Sequence, residues 1–125
     1  MTYEATNPKY FAEDHVVRIS GLITCLGIVA QNGPTSGTVA GHFVTPLTCK
    51  GTTLTDEGRS FLDEVVRIME DQGWDRSTTT ITCYYAPRLD GKVWPETKNA
   101  RTAVKEYLKW EVESCATSST FHIKS

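Results

Sequence analysis

The chain has 125 residues, of which 39% are hydrophobic and 22% charged, a composition that fits one domain with an ordinary core. A formal net charge of −2 and the lack of Lys or Arg runs argue against a nucleic-acid surface. No apolar stretch approaches the ~20 residues that cross a bilayer, and the N-terminus lacks the basic and apolar segments of a cleavable signal.

The N-terminal part of the chain predicts an irregular arm followed by three strands. Residues 1–13 show no periodic pattern, and we expect the aromatic side chains of this arm to dock on the body of the domain. The segment Asn32-Gly33-Pro34 is a turn signal that suits a hairpin between the second and third strands. Three apolar or β-branched runs predict these strands: HVVRIS (15–20), CLGIVAQ (25–31) and GTVAGHFVTP (37–46).

The rest of the chain predicts two amphipathic helices and two further strands. Thr55 is a suitable cap for the first helix and Asn99 for the second. The apolar spacing predicts helices over 55–73 and 98–114, and alternation or β-branched content predicts strands over 78–87 and 118–124. This order predicts an α+β fold, in which a single domain (1–125) holds a mixed β-sheet flanked by two helices.

The four cysteines at positions 25, 49, 83 and 115 are widely spaced and include no C-x-x-C pair. We therefore expect four reduced thiols, most of them buried, in a cytoplasmic protein. Export without a cleaved signal is the alternative, and a disulfide-stabilised effector is a third interpretation. No histidine lies at ligand spacing from a cysteine, so we expect no metal site.

Cys25 and His42 are the candidate catalytic residues. His42 follows Cys25 by 17 positions, and a hairpin would bring their two strands side by side. A thiolate is a strong nucleophile, and a neighbouring imidazole can accept the thiol proton. Ser20 and Thr24 stand at the bend before the cysteine, where backbone N–H groups can form an oxyanion hole. Both candidates also have a structural interpretation, because free cysteine and histidine often pack in cores.

The stretches SGLITCLGIVA and GTVAGHFVTP resemble the catalytic core of the CheD family, the chemoreceptor glutamine deamidases. Gly21 precedes the cysteine, and Gly41, Phe43, Val44 and Pro46 surround the histidine, as that family leads us to expect. The likeness covers about residues 14–112. The catalytic domains of bacterial cytotoxic necrotizing factors share this architecture and dyad, so the chain resembles a wider group of thiol deamidases, some of which are effectors.

The resemblance implies a protein-glutamine deamidase that works through a thioester on Cys25, with His42 as its base and no cofactor. It implies a protein partner that presents an exposed glutamine. Ser20 or Thr24 stands where the family has a threonine upstream of the cysteine, so each is a candidate third member or oxyanion support.

The loop after the middle strand departs from the family pattern. YYAPRLDGKVW stands where the family has a Gly-rich segment, so Tyr84, Tyr85 and Trp94 are candidate substrate contacts. A non-catalytic protein-binding module that retains the fold and binds through these aromatics is the alternative function. The pattern leaves the oligomeric state open.

Overall fold

The computed structural model describes residues 1–125 and contains ten strands and three helices. The helices are α1 (Thr45–Thr48), α2 (Asp56–Asp71) and α3 (Pro95–Leu108), and a 3₁₀ turn spans Arg76–Thr78. The strands are β1 (Thr2–Glu4), β2 (Lys9–Phe11), β3 (Val16–Ile19), β4 (Leu26–Asn32), β5 (Thr38–Phe43), β6 (Cys49–Lys50), β7 (Thr53–Leu54), β8 (Thr79–Tyr85), β9 (Val112–Ala116) and β10 (Phe121–Lys124). The α+β class is therefore confirmed, with three helices in place of the expected two.

The strands form two main sheets and a small two-stranded ribbon in place of one sheet. The larger sheet has the order β2-β5-β4-β8-β9, and the smaller sheet has the order β1-β3-β10. Each main sheet is mixed, because β8–β9 and β1–β3 are parallel whereas the other pairs are antiparallel. The ribbon pairs β6 with β7 and connects α1 to α2.

Two apolar cores lie on opposite faces of the larger sheet. Leu26 and Ile28 of β4 face a helix-side core that includes residues of α2 and α3, whereas Val29 belongs to a second core shared with the smaller sheet. The layers are thus small sheet, large sheet and helices. Because β4 is buried on both faces, its sequence is a continuous apolar run and does not alternate.

Helix α2 follows its sequence signals closely. The Thr55 side chain accepts a hydrogen bond from the Gly58 backbone N–H, so the predicted cap is confirmed. The helix ends before Gly73, whose φ of +70° is a left-handed conformation that suits glycine. No helix in the chain combines the length and the apolarity needed to cross a membrane.

The N-terminal arm is more regular than its sequence suggests. β1 pairs in parallel with β3, and β2 pairs antiparallel with the edge of β5. The expected docking of its aromatics is confirmed, since Phe11 is buried and Tyr3 packs against the inter-sheet core. Strands of three residues are too short to show an alternation, which explains why residues 1–13 look irregular in the sequence.

The second long helix is shifted from its predicted bounds of 98–114. It begins at Pro95, a residue favoured in the first turn, so Asn99 lies inside the helix and is not its cap. It ends at Leu108, because Lys109 adopts a left-handed conformation with φ of +51°. Val112, which falls within those predicted bounds, instead starts β9.

Candidate functional site

Cys25 and His42 lie at the end of the larger sheet where β4 begins and β5 ends. His42 pairs directly with Gly27, so these two residues share one face of the sheet. Cys25 is two residues before Gly27, immediately ahead of β4, and its side chain packs against the inter-sheet core. The thiol and the imidazole therefore belong to the same face. In a regular sheet, diagonal neighbours have Cα atoms roughly 7–8 Å apart, which is within reach of an aromatic side chain such as the imidazole.

The imidazole of His42 is half-buried and has a free nitrogen. Nε2 is buried and has no hydrogen-bond partner in the structure, the thiol of Cys25 included. Burial lowers the pKa of His42, and the charge of Glu4 opposes that shift only in part. The ring edge faces Gly21, where an added Cβ would lie 3.7 Å from Cε1. His42 is thus a neutral base at pH 7, in a position to accept a proton.

Glu4 places an ionised carboxylate close to His42. Arg18 Nε donates to Glu4 Oε1 at 2.8 Å, and Ser20 Oγ donates to Oε2 at 3.0 Å. Burial raises the pKa of Glu4, but the hydrogen bonds from Arg18 and Ser20 and the charge of Arg18 lower it below its ordinary value overall. Ser20, a candidate from the sequence, therefore reaches the neighbourhood of His42 through this carboxylate.

Glu4 could not be recognised from the sequence as a neighbour of His42, because its carboxylate comes from a distant segment of the chain. β1 joins the smaller sheet in parallel with β3, and this register sets Glu4 opposite Arg18. A parallel pair leaves no hairpin turn in the sequence, so no local signal could have revealed this contact.

Thr24, the other sequence candidate, is held through its backbone carbonyl. The hydroxyls of Thr45 and Thr97 donate to Thr24 O at 3.1 and 3.0 Å, respectively. Both donors are buried: Thr45 opens α1, and Thr97 lies in the first turn of α3. Two separate helices therefore converge on the residue just before the candidate nucleophile.

The four cysteines are free, but their environments differ from the expectation of mostly buried thiols. Cys83 is fully buried, Cys25 and Cys49 are half-buried, and Cys115 is exposed. Cys115 is exposed because it lies on β9, the edge strand that the sequence did not reveal. Burial raises the pKa of Cys83 to about 12, so that thiol is a poor nucleophile near neutral pH.

The three candidate substrate aromatics do not lie on one surface. Tyr84 stacks on Phe121 with ring centroids 4.5 Å apart, on the face that Cys25 and His42 share. Tyr85 packs on the helix side, beneath the guanidinium of Arg101. The Trp94 ring is covered by an arginine of its own loop. Of the three, Tyr84 is the one that lies on the face of the Cys25–His42 pair.

A groove of about 490 Å³ opens beside the start of α2. It borders His42 but is not lined by Cys25. The carboxylates of Asp56 and Glu64 in its wall are paired with arginines of the same helix, so much of its negative charge is compensated. We therefore assign the groove no part in the chemistry of the pair.

No group of three or more His, Cys, Asp or Glu side chains is arranged to hold a metal ion. The sequence matches no family model, and comparison with curated proteins finds no match. The geometry of the Cys25–His42 pair and its surroundings is therefore the basis for assigning a function.

Proposed function

We propose that this protein is a cysteine hydrolase with a CheD-like fold that converts a glutamine side chain of a partner protein to glutamate. Cys25 is its nucleophile and His42 its general base. The observation that carries the proposal is the register of β4 with β5, which sets a thiol and a neutral imidazole on one face of the sheet. A thiol beside a base of this kind is the arrangement that nucleophilic acyl transfer requires.

The first half of the reaction forms a thioester and releases ammonia. His42 accepts the Cys25 proton, and the sulfur attacks the amide carbonyl carbon, so that a C–S bond forms and the carbonyl oxygen becomes an oxyanion. The oxyanion then collapses and the C–N bond breaks. His42 returns its proton to the departing nitrogen, which leaves as ammonia.

The second half hydrolyses the thioester. His42 takes a proton from a water molecule, whose oxygen attacks the same carbon. The C–S bond breaks, the sulfur regains its proton from His42, and the product is a carboxylic acid that releases its proton to solvent as a carboxylate. No cofactor or metal takes part in this scheme.

Glu4 supports the base in this mechanism. Its negative charge favours the imidazolium that exists briefly after each proton transfer, because opposite charges in a partly buried site attract. Ser20 and Arg18 hold the carboxylate in place. We therefore propose Glu4 as the third polar member of the site, with Ser20 acting through it.

The non-catalytic binding module has less support from the side-chain contacts. Tyr84, Tyr85 and Trp94 are each half-buried and packed against other side chains of this chain. They do not form the continuous exposed patch that an aromatic interface needs. Tyr84 alone lies where it can contact a glutamine-bearing segment at the pair.

The proposal is tested by comparing the wild type with Cys25→Ser and His42→Ala. Each purified protein is incubated with candidate partner proteins, and glutamine-to-glutamate conversion is followed by peptide mass spectrometry. Cys49→Ser is the matched control, because that thiol is half-buried like Cys25 but lies on β6 of the ribbon and packs against the helix-side core. We expect deamidation by the wild type and by Cys49→Ser, and none by the other two. Equal conversion by wild type and Cys25→Ser would refute the proposal.

A further inference from the structure

We propose that Thr45 and Thr97 are positioning residues that aim the backbone N–H of Cys25 at the oxyanion. This inference rests on the proposed function and extends it to two residues outside the pair. Both hydroxyls donate to the same acceptor, the carbonyl oxygen of Thr24, at 3.1 and 3.0 Å. That carbonyl belongs to the peptide unit whose nitrogen is Cys25 N.

The orientation of that peptide follows from its planarity. The chain contains no cis peptide bond, and in a trans peptide the C=O and N–H groups point in opposite directions. Thr45 is 5% exposed and Thr97 is 0% exposed, so the Thr24 carbonyl points into the protein. The Cys25 N–H therefore points the opposite way, away from these hydroxyls.

The Cys25 N–H has no competing partner in the backbone. Cys25 precedes β4, and its N–H donates to no backbone carbonyl in the surrounding loop. A free N–H on the nucleophilic residue itself is a common donor to the oxyanion of a tetrahedral intermediate. Two hydroxyls on the opposite end of the same peptide also polarise it, which strengthens the N–H as a donor.

The positions of the two threonines explain why both are needed. Thr45 comes from the helix that follows the histidine strand, and Thr97 comes from a helix more than fifty residues further along the chain. Two donors from different elements fix both the direction and the tilt of the carbonyl, whereas one donor would leave the peptide able to rotate. A preorganised donor costs no reorganisation during the reaction.

The test compares two reactions of Cys25 that differ in their need for an oxyanion. p-Nitrophenyl acetate acylates the thiol through a tetrahedral oxyanion, whereas iodoacetamide alkylates it by direct displacement at carbon and forms none. Both rates are measured on the Cys25-containing peptide by mass spectrometry, with the full chain of the wild type and of each variant. The ratio of acylation to alkylation therefore reports the oxyanion donor and is independent of any partner protein.

The variants are Thr97→Val, Thr45→Val, their combination, and Thr97→Ser. We expect the ratio to fall about tenfold in each valine variant and about a hundredfold or more in the combination, approaching the loss of a full oxyanion donor. Thr97→Ser keeps the hydroxyl and should remain within about threefold of the wild type. Thr48→Val is the matched control: it also removes a buried hydroxyl bonded to a backbone carbonyl, but that carbonyl is Val44 O.

Several results would overturn the inference. Three of them would each assign the threonines a purely structural role. These are an unchanged ratio in Thr97→Val, an equal fall of the ratio in Thr97→Ser or Thr48→Val, and alkylation that falls in parallel with acylation. A wild-type thiol that is alkylated but never acylated would do the same. A ratio that depends on the threonines while no glutamine is deamidated would instead refute the proposed function and leave the positioning role standing. With an active substrate, kcat should fall in Thr97→Val while KM stays within about twofold.

Discussion

Replacing His42 with phenylalanine should stabilise the fold while abolishing the proposed activity. Nε2 of His42 is buried without a hydrogen-bond partner, and an unsatisfied buried polar group costs about 1–3 kcal/mol. The ring is half-buried and neutral, so the lower end applies and the gain is about 1 kcal/mol. Gly21 has no side chain and faces the ring edge, which leaves room for a phenyl group.

The stability gain should also depend on pH. Burial lowers the pKa of His42 in the native state below its ordinary value of 6.5, so above that pH the residue is neutral in both states. As the pH falls below 6.5, the unfolded chain binds a proton more readily than the native protein, and the wild type loses stability. His42→Phe has no proton to bind there, so its advantage over the wild type should grow between pH 8 and pH 5.5.

Urea unfolding at these two pH values measures both effects. With a slope of about 1.5 kcal/mol per molar urea, a gain of 1 kcal/mol raises the midpoint by roughly 0.7 M at pH 8. His122→Phe is the control, because His122 is exposed on β10, and its free energy of unfolding at pH 8 should stay within about 0.5 kcal/mol of the wild type. If the His42→Phe protein is less stable than the wild type at pH 8, the inference that the buried Nε2 lacks a hydrogen-bond partner is refuted. If the stability advantage of His42→Phe over the wild type does not grow at pH 5.5, the lowered pKa of His42 is refuted.

Three other outcomes test the fold and the site. Glu4→Gln removes the charge that partly supports the His42 pKa, so the acid limb of the pH–rate profile should move to lower pH; an unshifted limb would remove Glu4 from the site. Gly58→Ala would bring a Cβ within 2.2 Å of a backbone oxygen of α1, and urea unfolding should show a loss of about 2–3 kcal/mol. Native alkylation should modify Cys115 quickly and leave Cys83 unmodified until the protein unfolds; early labelling of Cys83 would contradict its burial.

The local elements could be predicted from the sequence wherever local interactions specify them. The span of α2 follows from an apolar stripe, a Thr cap and a terminal glycine, all of which act within a few residues. The end of α3 could not be predicted, because Lys109 takes the left-handed cap position that glycine usually marks. Because the sequence shows no stop signal there, the helix was predicted to continue to residue 114, and its last residues instead form the start of β9.

The residues that surround the candidate pair could not be predicted from the sequence, for a different reason. Cys25 and His42 are joined by a short hairpin, so their pairing was accessible from turn residues and strand length. Glu4 and Thr97 arrive from segments that are distant in the chain, one by a parallel strand and one by a helix. Contacts of that kind depend on how layers pack, and a single sequence carries no local pattern for them.

Two glycines connect the packing of both layers to the position of the imidazole. A one-residue slip of β5 against β4 would turn His42 to the helix side, because side chains alternate along a strand. The helix side has no room for a side chain at this point of β5. Gly41 faces that side, and a Cβ at Gly41 would lie 2.7 Å from Phe61 Cζ. On the other face a Cβ at Gly27, the partner of His42, would lie 3.0 Å from the Phe121 ring. Side chains therefore fit neither position, and the observed register, which has glycine at both, sets the imidazole on the face that Cys25 shares.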